Sequence, residues 1–224
     1  MSTQASPILS GQVLFATLSF SNITGNNTGD ADIGEAQMFV DIYDMGSGLG
    51  LADNQVYFDF RNTGPEASSI TQIFFDDGTL LGISELSEST GVSYIEDEVP
   101  IRGGLPGGNT VSFSADFNVD PSSPVQPNGI NPGESLGILF DLINDKTLQD
   151  TLKALDPGIT DPQSDQSLRI GFHVQGYDSE GSESFVNNPP PIIVVPAAPE
   201  PNALALLGLG IAIMSFTGMR NKRI

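Results

Sequence analysis

The sequence predicts an all-β protein: an antiparallel β-sandwich with one short amphipathic helix, plus a single C-terminal transmembrane helix. Three observations carry the prediction. Short apolar–polar alternations recur along the first 187 residues, and a period of two marks a half-buried strand. Clusters of Gly, Pro, Asn and Asp separate them at fairly regular spacing, as in sandwiches and barrels. Only one internal segment, "NDKTLQDTLKALDPG", has helical periodicity.

Taken in chain order, "QVLFATLSFSN" places Leu14, Leu18 and Phe20 on one face and breaks at "NITGNNTGD". "MFVDIYD" sets Phe39 against Val40 and Ile42. "NQVYFDFRN" turns Val56, Phe58 and Phe60 inward and Asp59 and Arg61 outward. "SITQIFFDDG" ends in an Asp-Gly turn signal and "TLLGISEL" follows it, which predicts a hairpin. "VSFSADFNV" alternates Val111, Phe113, Ala115 and Phe117 against Ser112, Ser114 and Asp116. "ESLGILFDLI" lines up Leu136, Ile138, Phe140 and Leu142, and "LRIGFHVQG" lines up Ile170, Phe172 and Val174. In the helical segment Leu148, Leu152 and Leu155 share a stripe, Asn144 or Asp145 is the expected cap, and Pro157-Gly158 is the stop. The Pro- and Gly-rich stretches at 100–109, 118–134 and 156–167 read as ordered crossings between sheets.

Beyond this body, residues 1–186, the composition changes. Residues 187–201, "NNPPPIIVVPAAPEP", form a stiff, extended linker. Residues 202–224 follow, with an uncharged run, "ALALLGLGIAIMSFTGM", and then Arg220, Lys222 and Arg223. A membrane helix needs about 20 apolar residues, within a range of roughly 17–25, so the run is just long enough. In lipid its backbone amides must bond within the segment, which makes it helical. By the positive-inside rule the three cations stay in the cytoplasm and the body lies across the membrane.

Charge narrows the partners. The chain carries 28 acids against 8 bases, a net of −20. Ahead of Pro199 the count is 27 against 5, or −22. Such a body repels phosphate backbones, so no nucleic-acid partner is expected. There is no cysteine and one histidine, His173. That removes thiolate chemistry, disulfides and multi-histidine zinc sites.

The order Pro199, Glu200, Pro201, short apolar segment and basic tip at the extreme C-terminus resembles the PEP-CTERM sorting signal of exopolysaccharide-producing Gram-negative bacteria. The resemblance covers about the last 30 residues. It implies recognition by an exosortase near Pro199, Glu200 and Pro201, anchoring in the inner membrane before processing, and then delivery to the cell surface or extracellular matrix. The stop signal is Arg220, Lys222 and Arg223. Exported proteins need a signal peptide with a basic n-region, yet "MSTQASPILSGQVLFATLSF" has no Lys or Arg. A start upstream of Met1 is therefore expected. Segments such as "SSITQIFFDDGTLLGI" and "GFHVQGYDSEGSESFVN" also resemble a body recurring among such proteins, one without an assigned activity.

Chemistry in the body is sparse. Asn26, Asp30, Asp32 and Glu35 in "NNTGDADIGE" make a candidate calcium loop, since hard cations gather several oxygens. EF-hand spacing fails there, because Ala31 stands where glycine is required. "YDSEGSES" (177–184) is a second acidic stretch, read first as a polar hairpin tip, and "IEDEV" as a solvated charge run. A carboxylate pair could hydrolyse glycosides, but no spacing singles one out, tryptophan is absent and only four tyrosines are present. A serine triad would need His173, which the alternation places on a polar strand face. No nucleophile-elbow or phosphate-loop motif occurs. The expected function is therefore an exported, non-enzymatic surface or matrix protein. The alternatives are a calcium- or polysaccharide-binding module and, less favoured, a carboxylate-dependent hydrolase.

Overall fold

The computed structural model describes residues 14–43, 52–97 except 79, 104–156, and 161–188 except 162, 163 and 165. The chain divides into two units, Met1–Pro191 and Ile192–Ile224, and every described residue lies in the first. The transmembrane helix and sorting motif expected at 199–224 fall outside the described residues. Among those described, no helix is long and apolar enough to cross a membrane.

The described body is two antiparallel sheets sharing one core. The strands are β1 (Leu14–Leu18), β2 (Phe20–Asn22), β3 (Met38–Tyr43), β4 (Gln55–Asn62), β5 (Ser69–Asp76), β6 (Leu81–Glu88), β7 (Tyr94–Asp97), β8 (Phe117–Pro121), β9 (Ser135–Leu142), β10 (Arg169–Gln175) and β11 (Glu183–Asn187). The first sheet runs β1-β3-β4-β9-β6 and the second β2-β11-β10-β5-β8-β7. Three helices accompany them: α1 (Thr28–Gln37), α2 (Val125–Asn128) and α3 (Leu148–Leu155).

The alternation places side chains as expected in four strands. Val40 and Ile42 of β3, Phe58 and Phe60 of β4, Ile138 and Phe140 of β9, and Phe172 and Val174 of β10 are all fully buried in the shared core. Aromatic rings join the two layers. Phe60 meets Phe172 edge-on at 5.9 Å, and Phe75 meets Phe140 at 5.3 Å. Each such pair adds roughly 0.5–1.5 kcal/mol beyond its buried area.

Four expectations are corrected. The first apolar segment is not one strand. The chain changes sheets at Ser19, so Leu18 ends β1 and Phe20 opens β2. Leu14 is left 49 % exposed while Ala16 takes the core position.

The Asp-Gly turn does not close a hairpin. β5 pairs with β10 and β8, whereas β6 pairs with β9 in the other sheet. The turn carries the chain between layers, with Leu80 N–H donating to Asp77 O at 2.9 Å, and Leu80 and Leu81 enter the same core.

"VSFSADFNV" is a strand only from Phe117. Gly108–Val111 is a 3-10 turn, and Ser112 has a φ of 55°, which ends extended structure. Val111, Phe113 and Ala115 instead pack with Phe74, Leu105 and Val186, on the side of the second sheet away from the shared core. Arg169 pins this crossing segment: Nη1 donates to Val111 O at 2.7 Å, and the guanidinium lies 5.0 Å from the Phe113 ring centroid.

The helix cap also differs. Thr147 caps α3 in a reciprocal box with Asp150, while Asn144 and Asp145 both take positive φ in the preceding turn. Leu148 and Leu155 are buried as expected.

Candidate functional site

The two acidic stretches singled out by the sequence are neighbours in space. "NNTGDADIGE" is not a loop, however, but largely the helix α1. Asn27 is its N-cap, accepting from Gly29 N and Asp30 N, which satisfies two of the free amides at the helix start. Glycine at 34 is required by packing, since a Cβ there would sit 2.1 Å from Phe185 Cζ in the core.

The helix scatters the candidate calcium ligands. Two residues turn about 200° around a helix axis, so Asp30 and Asp32 lie on nearly opposite sides. Asp30 Oδ2 accepts from Ser179 Oγ at 2.5 Å, and Glu35 Oε1 accepts from Asn22 N–H at 2.8 Å. Asn26 donates its side-chain amide to Ser182 O at 2.9 Å, and Asp32 is exposed. Among the described residues no group of three or more acidic or histidine side chains is arranged to hold a metal. Millimolar calcium is therefore expected to leave the melting temperature unchanged. A rise of several degrees in a thermal scan would reinstate a cation site.

Glu183 is the centre of this region, and sequence reasoning missed it. It opens β11 fully buried. Its carboxylate accepts from Thr24 Oγ1, from Asn22 Nδ2 at 2.9 Å, and from the backbone N–H groups of Asn26 at 3.2 Å and Asn27 at 2.5 Å. Three of these donors share Oε2, and Asn27 N–H alone meets Oε1. Burial works to raise its pKa, but the bonds from Thr24, Asn22, Asn27 and Asn26 outweigh it and hold the group below its ordinary value. Glu183 is an anionic clamp joining the segment before α1 to β11. Tyr177 stands close by with its hydroxyl buried and without a hydrogen-bond partner. Burial first, and then the charges of Asp30 and Glu183, push its pKa far up and keep it neutral. No sequence signal marked Glu183 off from the other acids of "YDSEGSES", because the donors that surround it come from a segment about 160 residues away.

One acidic pair is the natural place to look for hydrolytic chemistry. Asp41 of β3 stands opposite Asp59 of β4, the single directly paired set of carboxylates among the described strands. Both are buried. Asp41 is engaged: Arg61 Nη2 donates to Oδ1 at 3.1 Å, Thr17 Oγ1 donates to the same oxygen at 2.6 Å, and Arg61 Nε lies 2.6 Å from Oδ2 as an ion-pair contact. Two tyrosines flank the pair, Tyr43 and Tyr57, with ring centroids 6.2 Å apart. Burial, then Asp59, pushes the Tyr57 hydroxyl up to about 12, against the lowering effect of a bond with Ser87. Glycine at 137 makes room for it, because a Cβ there would fall 1.6 Å from Tyr57 Oη. An acid held by a guanidinium and a hydroxyl serves as an ion-pair anchor, not as a free nucleophile or base.

His173 faces away from the shared core on β10, half-buried, with Nδ1 3.3 Å from Ser184 Oγ. Among the described residues no carboxylate hydrogen-bonds the imidazole, as a hydrolytic triad would need. The sorting residues Pro199, Glu200, Pro201, Arg220, Lys222 and Arg223 lie outside the described residues. The chain matches no protein-family model, no curated protein and no solved structure.

Proposed function

We propose that this chain is an exported, non-enzymatic protein of the cell surface or extracellular matrix, delivered by a C-terminal sorting segment that an exosortase processes. The observation that carries the reading is the order of the tail: Pro199-Glu200-Pro201, an uncharged apolar run, then Arg220, Lys222 and Arg223. The apolar run is long enough to anchor the chain, and the cations after it set the body on the far side. What supports the non-enzymatic part is the state of the acids that drew attention. Glu183 and Asp41 are both taken up by internal donors. A strongly acidic, cysteine-free body suits a hydrated, polyanion-tolerant setting in which it stays soluble without disulfides.

The test is the mass of the protein recovered from its native host, read from both ends. A C-terminus between 199 and 202 is the expected result. A mature chain retaining Arg220, Lys222 and Arg223 would sink the reading. Replacing those three bases with Glu should leave the precursor unprocessed or misoriented, seen as a larger band and a changed protease-protection pattern.

A further inference from the structure

Among the described residues, the outer face of the second sheet is only partly covered. The crossing segment around Leu105 and Phe113 packs over Phe74 and Val186. Beside it the sheet lies open as a groove of about 530 Å³, within the usual range of roughly 300–1,000 Å³ for small-ligand sites. Its floor is polar and its rim aliphatic. Gln72, Asp120, His173 and Gln175 line the floor, while Ile95, Pro106 and Val125 stand at the sides.

The floor is a cross-strand row. His173 of β10 is in register with Gln72 of β5, and Asp120 of β8 with Ile95 of β7. Between them Gln72 Nε2 donates to Asp120 Oδ1 at 3.0 Å, which joins the two halves. Ser184 of β11 pairs with His173 on the other side and places its hydroxyl 3.3 Å from Nδ1. Strands lie about 4.8 Å apart, so the three steps from His173 to Ile95 span roughly 14 Å. That is room for a short polymer segment running across the strands.

Several groups of the row, and Gln175 two residues further along β10, keep hydrogen-bonding capacity. His173 Nε2 and the Gln175 amide have no partner among the described residues, and Asp120 uses one oxygen on Gln72. Burial holds the imidazole below its ordinary 6.5, so it is neutral at pH 7 and can donate or accept but carries no charge. Amide, imidazole and carboxylate groups in one row match a ligand whose groups also do both, which describes hydroxyls. Among the described residues no Lys or Arg lines the groove, and the chain is at −20 overall, which disfavours anionic ligands. The aliphatic rim can cover sugar C–H faces. Among the described residues no aromatic ring lines the groove, so binding is weak and additive along the ligand.

We propose that this groove binds a neutral oligosaccharide laid across β10, β5, β8 and β7, with Gln72, Asp120, His173 and Gln175 meeting its hydroxyls. The inference uses the body alone, so its failure would leave the export reading standing, and the reverse also holds.

The chain's single histidine supplies the probe. The full-length protein, held in a phosphocholine detergent to avoid sugar headgroups, is titrated with neutral β-1,4-glucan, α-1,4-glucan and β-1,4-mannan hexasaccharides while the His173 Hε1 proton resonance is followed. The expected result is a saturable shift with at least one hexasaccharide. Asp120→Ala should weaken it about tenfold, the effect of losing one charge-assisted hydrogen bond. Gln175→Ala breaks no internal bond among the described residues and keeps the test open if Asp120→Ala fails to fold; it should weaken binding several-fold. No shift with any of the three at tens of millimolar overturns the proposal. So does a shift that both variants leave intact, which would place binding elsewhere. A response to dextran sulfate or to an extended proline-rich peptide, in place of the hexasaccharides, overturns it as well, in favour of a polyanion or a protein partner.

Discussion

Phe75→Ala should be the most damaging single substitution in the body. Phe75 belongs to β5 in the second sheet and is fully buried. Its ring stacks on Phe117 at 4.7 Å and meets Phe60 and Phe140 of the first sheet edge-on at 6.0 and 5.3 Å. It is therefore a rivet between the layers as well as a core filler. Removing a ring of this kind costs about 3–5 kcal/mol, the transfer term plus the cavity left behind. For a domain of roughly 150–250 residues each kcal/mol lowers the melting temperature by about 2–4 °C, so a fall on the order of 10 °C is expected. Phe39→Ala, on the outer side of β3 and half-buried beneath Arg61, is the comparison and should cost about 1 kcal/mol. Equal effects from the two in parallel denaturant melts would mean that the sheets do not share the core described.

The second large effect concerns Glu183 and has a pH signature. Glu183→Ala removes the carboxylate that accepts from Thr24, Asn22, Asn26 and Asn27, and should cost about 3 kcal/mol, since buried donors lose a charged partner. Burial alone would raise the pKa of Glu183, but the four donors hold it below the ordinary 4.5 in the folded state. The unfolded chain therefore binds the proton more readily. The stabilisation is fully present above the unfolded value, and it is lost as pH falls from there through the lower folded value. Urea melts between neutral pH and the acid limb should show the native protein weakening over that window. Glu183→Gln, which cannot titrate, should start lower and lose less. Parallel acid limbs for the two proteins would remove Glu183 as the clamp.

The parts of the fold that were legible are those set by neighbouring residues. Alternation in "NQVYFDFRN" and "LRIGFHVQG" identified Phe58, Phe60, Phe172 and Val174 as core, and put His173 on the other face. A strand pattern of period two survives whatever partner the strand finds. The stripe of Leu148 and Leu155 held for the same local reason. α1 was hidden because it lacks an apolar stripe. Its sequence, TGDADIGEAQ, has two glycines and few apolar residues, so neither propensity nor periodicity announces a helix. It forms because Asn27 caps it and Gly34 lets it lie against Phe185. The Asp-Gly signal after β5 marked a real turn but not the partner, because a turn fixes direction only locally and β5 is claimed on both sides by β10 and β8.

The candidate sites followed the same division. The acids at 26–35 and 177–184 could be picked out singly, yet only the fold brings Ser179 to Asp30 and Glu183 to Asn27. The sequence by itself determined which faces of β3, β4, β9 and β10 would be dry, the acidity of the body, and the order of residues in the tail on which the proposed address rests. Those depend on composition and on neighbours within a few residues. Tertiary structure alone decided where the chain changes sheets, which strands pair, and that Ser184, His173, Gln72 and Asp120 would stand in one row across four strands. Pairing is a non-local choice, and a slip of one residue in any of those registers would turn that strand's side chain to the opposite face.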